Sequence, residues 1–591
     1  SAASDVYKRQ VAGYVDDITR FDGSDVEFEY TGKGQLATIE YDSAVSNNFS
    51  YRLNGQLETG TNESGVVLFS YDAAGRPDVV TGAAPSGVDA EVDYDFDPVG
   101  NLTNLDHVGG EYEFSYDAGE RLTAIEGPEG DFDYTYSTAN GLAETCDLPN
   151  GLEVTFEYDG FDRLTGILYS NATTEVRSRR YGYNILGLIT SVTNENGSAT
   201  LYSYDELDRL ESVTVGSDVR EYTYDLSGNR TTTEVNNVAT AWSLGTGNRL
   251  DSWGTGTDIT YDNAGNVTYM EFADGTELDL SWNERYQLES VDVDGVEVES
   301  YSYDALGRRV SVTADSATTY FVYAGMNVVA ETDSSGTVLR SYVHGPGIDN
   351  VLAMTDHTGT SDETYYYLKD HLGSVIALTD DTGAVVESYA YDAWGRVTVK
   401  NGSGTTISES AYDNRYTFQG REQSWEIYAA TGGTGLIYFR ARWYDPITAK
   451  WLSKDPIGIS GGLNQYVAFG NNPVILRDPD GTVPWVAFLI PGAQGAARGA
   501  ITGGITGFIV GAVFTHEPEY KANLVNGLKG MLSGAAGGAV GGFFAGYGDL
   551  QIVGLGLLGN ELGALTSTTV ASALSGRGLP TESEVAYTAI G

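Results

Sequence analysis

Carboxylates are the reactive side chains this sequence carries in quantity. Asp and Glu number 83 against 33 Lys and Arg in 591 residues, beside one cysteine, Cys146, and five histidines, His107, His344, His357, His371 and His516. A lone thiol makes neither a disulfide framework nor a thiolate metal site, so Cys146 reads as a buried structural residue. The histidines fall at no metal-ligand spacing, and neither a metal nor any cofactor is expected. Two aspartates stand in Asp-Pro-x-Gly: Asp455 in 454–458 (KDPIG) and Asp478 in 477–481 (RDPDG). That is a good turn sequence in any protein, and on residue type alone both belong to turns. A formal charge of −50 and a pI near 4.2 make phosphate repulsive, which excludes nucleic acid as a partner and argues against anionic lipid. Such acidity suits the surface of a secreted or salt-exposed protein.

The elements that must position these residues come from a repeat. A unit of the form Tyr-Asp-x-x-Gly-x-Leu returns roughly every 20 to 25 residues, as at Tyr30/Gly34/Leu36, Tyr51/Gly55/Leu57, Phe96/Gly100/Leu102, Tyr183/Gly187/Ile189, Tyr204/Asp208/Leu210 and Tyr261/Gly265/Val267. In Asp72-Ala73-Ala74-Gly75 and Asp304-Ala305-Leu306-Gly307 the Asp suits the first position of a type I turn, where it caps backbone amides, and the Gly the fourth. Before the turn the chain alternates, as in Val92-Asp93-Tyr94-Asp95-Phe96, which is the signature of a strand with one dry face. One repeat is therefore a β-hairpin. About 30 such strands at about 4.8 Å would make a ribbon on the order of 140 Å wide, too wide for an open twisted sheet. The predicted fold is all-β, a spiral of tandem hairpins wound into a hollow shell.

Past residue 360 the motifs become denser. The runs 365–374 (YYYLKDHLGS), 391–396 (YDAWGR), 435–446 (GLIYFRARWYDP), 451–458 (WLSKDPIG) and 471–481 (NNPVILRDPDG), in this order, resemble the Rhs repeat-associated core domain. With the upstream tyrosine-aspartate (YD) repeats the resemblance covers roughly residues 20–482. It implies a bacterial polymorphic-toxin shell, similar to toxin-complex shell components and to teneurin YD shells, whose core plugs one end and cuts the chain after itself. The expected organisation is a non-native or truncated start at 1–19, a YD-repeat shell at 20–360, the core at 361–482 and a variable C-terminal region from 483 to 591. Residues 1–10 resemble translated adapter sequence, no export signal is visible, and the chain reads as a piece of a longer reading frame.

The family ascribes its cut to an aspartyl-protease-like site, which falls here on Arg442, Asp455 and Asp478. Two carboxylates held close raise one another's pKa, so one serves as base toward water and its partner as acid toward the carbonyl or leaving amine. Arg442 would bind a carboxylate or the developing oxyanion. Asp445 reads as a turn residue. The family's cleavage motif is Pro, four residues, then Asp-Pro-x-Gly-Leu; Pro473, Asp478, Pro479 and Gly481 fit, but Thr482 stands for the Leu. A pocket shaped for Leu would lose about 1–3 kcal/mol on Thr, so scission between Thr482 and Val483 is expected to be slow or absent.

From residue 483 the composition turns to Gly, Ala and branched aliphatics, with glycine ladders at Gly499, Gly503, Gly507, Gly511 and at Gly534, Gly538, Gly542, Gly546. On helices these would form smooth strips for close packing, as in membrane glycine zippers, though neither stretch has the large apolar residues of a firm membrane span. The tail thus reads either as a helical hairpin packed in or against the shell or as a segment acting on a target-cell membrane. No toxin enzyme constellation is visible in it. The leading function is a secreted or cell-surface Rhs-type shell that encloses and delivers its own C-terminal polypeptide, with a secretion apparatus and an immunity protein as further partners. The alternative is a non-cleaving surface recognition or adhesion shell of teneurin type; carbohydrate binding on tyrosine faces is a third, resting on composition.

Overall fold

The computed structural model describes residues 6–9, 15–20, 22–42 and 45–486. The glycine ladders and the helical tail expected of them lie outside the described residues. Each YD unit is a hairpin, and its local chemistry is visible at Asp72. There the amide of Gly75 donates to the Asp72 carbonyl (3.0 Å) and the amide of Asp72 to the Arg76 carbonyl (2.9 Å), while Gly75 takes φ +83°. This is a type I turn closed by a left-handed residue, a common three-residue hairpin loop. The Asp72 carboxylate accepts from the amides of Ala74 (2.8 Å) and Arg76 (2.9 Å) and pairs with the Arg76 guanidinium at 2.6 Å. Arg76 in turn lies over the ring of Phe96 in the following unit, 4.9 Å from its centroid.

The tyrosine joins consecutive hairpins. The Tyr71 hydroxyl donates to the carbonyl of Leu57 (2.7 Å), Tyr136 to Leu122 (2.7 Å), Tyr204 to Ile189 (2.6 Å), Tyr224 to Leu210 (2.7 Å) and Tyr303 to Leu288 (2.8 Å). In each case the acceptor is the aliphatic residue just after the preceding YD turn, whose side chain is buried. Where the anchor is Trp282, its indole N–H reaches the Val267 carbonyl in the same way (2.6 Å). A register shift at the anchor, as between Ser203 and Tyr204 or Thr223 and Tyr224, accompanies the bond.

Strand pairs with next strand in antiparallel succession, from Val6–Arg9 to Leu250–Trp253 in a first sheet and from Asp258–Tyr261 to Thr406–Ile407 in a second. The ribbon then winds back on itself, because contacts close between residues 200 to 241 apart. Tyr169 donates to Lys369 O (3.0 Å), the Asn150 amide to Asp380 O (3.0 Å), Tyr366 to Glu129 O (3.0 Å) and the Asn62 amide to Tyr303 O (2.8 Å). The middle strands of the second sheet, from Asn327–Thr332 to Val375–Thr379, are consequently dry on both faces. Tyr366, Leu368 and Ile376 pack with the first sheet, whereas Tyr365, Tyr367, Val375 and Leu378 pack with the C-terminal core. That core is a small sheet of Glu422–Gln423, Ile437–Phe439, Arg442–Asp445 and Lys450–Trp451, with the α-helix Trp425–Ala430, whose first turn is capped by Ser424 accepting from the Ile427 amide (3.2 Å). The break between the two large sheets is where the core enters, with the Val267 amide donating to Leu452 O (2.8 Å).

Candidate functional site

Arg442 opens the third strand of the small sheet, and its guanidinium gathers the predicted groups. Its Nη2 lies 3.1 Å from Asp455 Oδ2 and 3.5 Å from Asp478 Oδ2, with all three side chains buried. The same nitrogen donates to the Thr482 carbonyl oxygen at 3.3 Å, Nε to the Gly481 carbonyl, and Nη1 to Gln465 O at 3.2 Å. Trp451 stacks beneath, 4.3 Å from the guanidinium carbon. Asp478 Oδ1 accepts from the Thr482 amide (2.9 Å), and Asp455 Oδ1 from that of Ile457 (3.0 Å). Burial pushes Asp455 up to about 6, with Arg442 opposing and Asp478 adding to the rise; burial likewise raises Asp478 to about 6 against the pull of Arg442. The arrangement is a pair of carboxylates bridged by one cation that also holds a peptide carbonyl.

The Asp478 turn is carried by a hairpin that the sequence left unmarked. Leu476–Arg477 pairs antiparallel with Trp485–Val486, so residues 478–484 form its loop and the Thr482-Val483 bond lies within it. Gly481 has φ +68°, and a β-carbon there would run into the Phe439 carbonyl and press on the Arg442 amide at 3.1 Å. Pro473 and Pro479 are buried, and the Pro479 carbonyl accepts from Arg440 (2.6 Å). Asp349 sits behind the hairpin and pairs with Arg421 (2.7 Å), Arg440 (2.6 Å) and Arg477 (3.4 Å). Burial works against its charge, but Arg421 and Arg440 outweigh it and hold Asp349 down at about 2.

Gly461 also belongs to the site: a β-carbon on it would collide with the Asp455 carboxylate and touch the Thr482 carbonyl. Asp349 and Gly461 carried no sequence signal, since what makes them matter is supplied by distant segments. Asp445, by contrast, is the turn residue expected, accepting from the amides of Ile447 (2.9 Å) and Thr448 (3.1 Å). Cys146 is buried and its thiol pushed up to about 12 by that burial. Among the described residues no group of His, Cys, Asp and Glu could hold a metal ion.

The model of the Teneurin YD-shell matches residues 152–473, more than half of the chain. The chain belongs to the teneurin YD-shell family. The YD-shell chain is also 28% identical over 314 residues to the tRNA nuclease WapA of Bacillus subtilis, covering 51% of this chain and 12% of that protein. To the double-stranded DNA deaminase toxin A of Burkholderia cenocepacia it is 28% identical over 335 residues, covering 51% of this chain and 22% of the relative. The crystal structure of TcdB2-TccC3 superposes with a TM-score of 0.66 over 81% of this chain and 28% of that one, at 19% identity, which is a likeness of fold. The YD-shell chain thus spans well under a third of the length of these relatives.

Proposed function

We propose that this chain is the processing end of a toxin-type shell, which encloses the polypeptide following it and severs that polypeptide between Thr482 and Val483. The wall would be the repeats of 20–360, the plug and its chemistry residues 361–482, and the cargo would begin at Val483. The observation that carries the reading is the single Arg442 nitrogen placed between two raised-pKa carboxylates and the carbonyl of the bond to be cut. In the singly ionised form of the pair, one of Asp455 and Asp478 takes a proton from water while the other supplies one to the carbonyl or the leaving Val483 amine. Arg442, already at the Thr482 carbonyl oxygen, would stabilise the negative charge that develops there. The relatives support delivery rather than a fixed activity: one is named as a tRNA nuclease and another as a DNA deaminase, yet each matches about half of this chain. A place outside the producing cell, a secretion apparatus and an immunity protein are further parts of this proposal. Among the described residues no helix is long and apolar enough to cross a membrane.

The test is the pH dependence of processing. Only the singly ionised pair is competent, so the rate at which residues 483–591 separate should trace a bell centred near pH 6. A rate that rises monotonically from pH 5 to 9 would assign the cut to other chemistry.

A further inference from the structure

Two YD units carry a charge where the repeat buries an aliphatic. The slot two residues past the turn glycine pairs across the hairpin with the aromatic anchor, and holds Leu57 opposite Tyr51 and Leu102 opposite Phe96. The same slot holds Arg309 opposite Tyr303 and Arg230 opposite Tyr224. Both arginines are buried, and Arg309 is paired with the Glu422 carboxylate. Among the described residues the other buried arginines, Arg308, Arg340, Arg421, Arg442 and Arg477, each reach a carboxylate too. Arg230, only 6% exposed, pairs with none among the described residues, and its Nε is buried without a hydrogen-bond partner. What surrounds it is aromatic: its guanidinium carbon lies 4.2 Å from the ring centroid of Trp394 and 4.8 Å from those of Tyr222 and Trp242. Ring faces offset part of the charge but are weak acceptors for N–H groups, and the Trp242 indole nitrogen is itself a buried donor without a partner.

A second buried cation adjoins the first. Lys450 Nζ lies 3.4 Å from Oδ1 of Asn229, the residue next to Arg230, and forms no ion pair among the described residues. Burial lowers Lys450 to about 8, and the charge of Arg230 adds to the fall. The carboxylates of the neighbourhood are committed elsewhere: Asp392 to Arg220 (3.4 Å) and the Trp394 amide (2.9 Å), Asp225 to the Asn229 side chain (3.0 Å), and Asp445 to the Thr448 hydroxyl (2.5 Å). Two like charges are thus buried as neighbours in a chain of formal charge −50, a costly arrangement unless an opposite charge meets them. We propose that Arg230 and Lys450 hold one small inorganic anion of halide size, where the first sheet meets the Trp394 turn and the core strand Lys450–Trp451. A monatomic anion suits the place because it accepts from several donors without a required orientation and fits beside a guanidinium closed in by three rings. Bound there, it would serve Arg230 as Glu422 serves Arg309, tying the wall to the core. The site is separate from the cleavage chemistry and stands whether or not the chain is cut.

Bromide tests this in the full chain, since it stands in for chloride and scatters anomalously. Crystals grown in sodium gluconate and soaked in sodium bromide should show an anomalous peak in contact with the Arg230 guanidinium and Lys450 Nζ. In solution the unfolding temperature should be higher in sodium bromide than in sodium gluconate of equal ionic strength, the difference growing with the logarithm of bromide concentration. Arg230→Leu, which restores the aliphatic of the repeat, should lose most of that difference. No peak at Arg230, an equal bromide shift in the parent chain and Arg230→Leu, or an acidic side chain of residues 487–591 found against Arg230 would each overturn the proposal. A peak without any solution shift would mean an adventitious ion only and overturn it as well. The crystal measurement and the bromide shift of the parent chain need no variant, so they decide the matter even if Arg230→Leu does not fold.

Discussion

Arg442 makes the site a shared ion pair, and that sharing governs what substitutions do. Asp455→Asn or Asp478→Asn leaves the guanidinium one buried carboxylate, so each single variant should keep the core folded. The double variant strands a buried cation and should cost about 3–5 kcal/mol locally. Hydrogen exchange of peptides spanning 437–482 measures the difference; equal protection in the single and double variants would deny the coupling. The pH dependence has a definite sign. Each carboxylate sits at about 6 in the fold, above its ordinary 3.8, so burying it as an anion carries a penalty that is fully present above pH 6 and is relieved as pH falls from 6 toward 3.8. That difference corresponds to about 3 kcal/mol per group at most. Protection of the same peptides should therefore increase from pH 7 to pH 5 in the parent chain and increase less in Asp478→Asn. Asp349, held at about 2, stays ionised across that window and does not confuse the reading.

At the scale of the element, the hairpin is welded to its neighbour by one tyrosine hydroxyl. Tyr224→Phe removes the donor to the Leu210 carbonyl and should cost about 0.5–1.5 kcal/mol with the strand pairing intact, measured by denaturant titration; no loss would demote the bond to an accompaniment of packing. Gly481→Ala tests the other kind of hairpin. The methyl strains a left-handed position and meets the Phe439 carbonyl, so the loop should move off Arg442 and processing should fall sharply while the wall is unchanged. These two hairpins also mark what could be read in the sequence. The YD turn was legible because its determinants, Asp72, Gly75 and the alternating strand before them, lie within a few residues of one another. That the tyrosine reaches the preceding Leu carbonyl was not, since the acceptor is backbone some 14 residues away. The Leu476–Val486 hairpin was hidden for another reason: two-residue strands have no period. Arg442, Asp455 and Asp478 were found through family motifs and not through their own residue types, which spoke only for turns.

For the whole molecule, the winding is set by contacts between residues 200 or more positions apart, and local pattern cannot specify which residues meet there. The width of the ribbon did specify that it must curl. A shell with a low-density interior predicts a maximum in the pair-distance distribution from small-angle scattering displaced to longer distances than a solid body of equal mass; the profile of a solid sphere would contradict it. The claim on which the functional account turns is that the core cuts its own chain. Intact mass and denaturing electrophoresis of the purified parent chain, Asp455→Asn, Asp478→Asn and Thr482→Leu test it together. The account predicts separation between Thr482 and Val483 in the parent chain, faster separation in Thr482→Leu, and none in either Asn variant. A single uncut chain in all four, the Leu variant included, would contradict it and leave a non-cleaving surface shell as the reading of this fold.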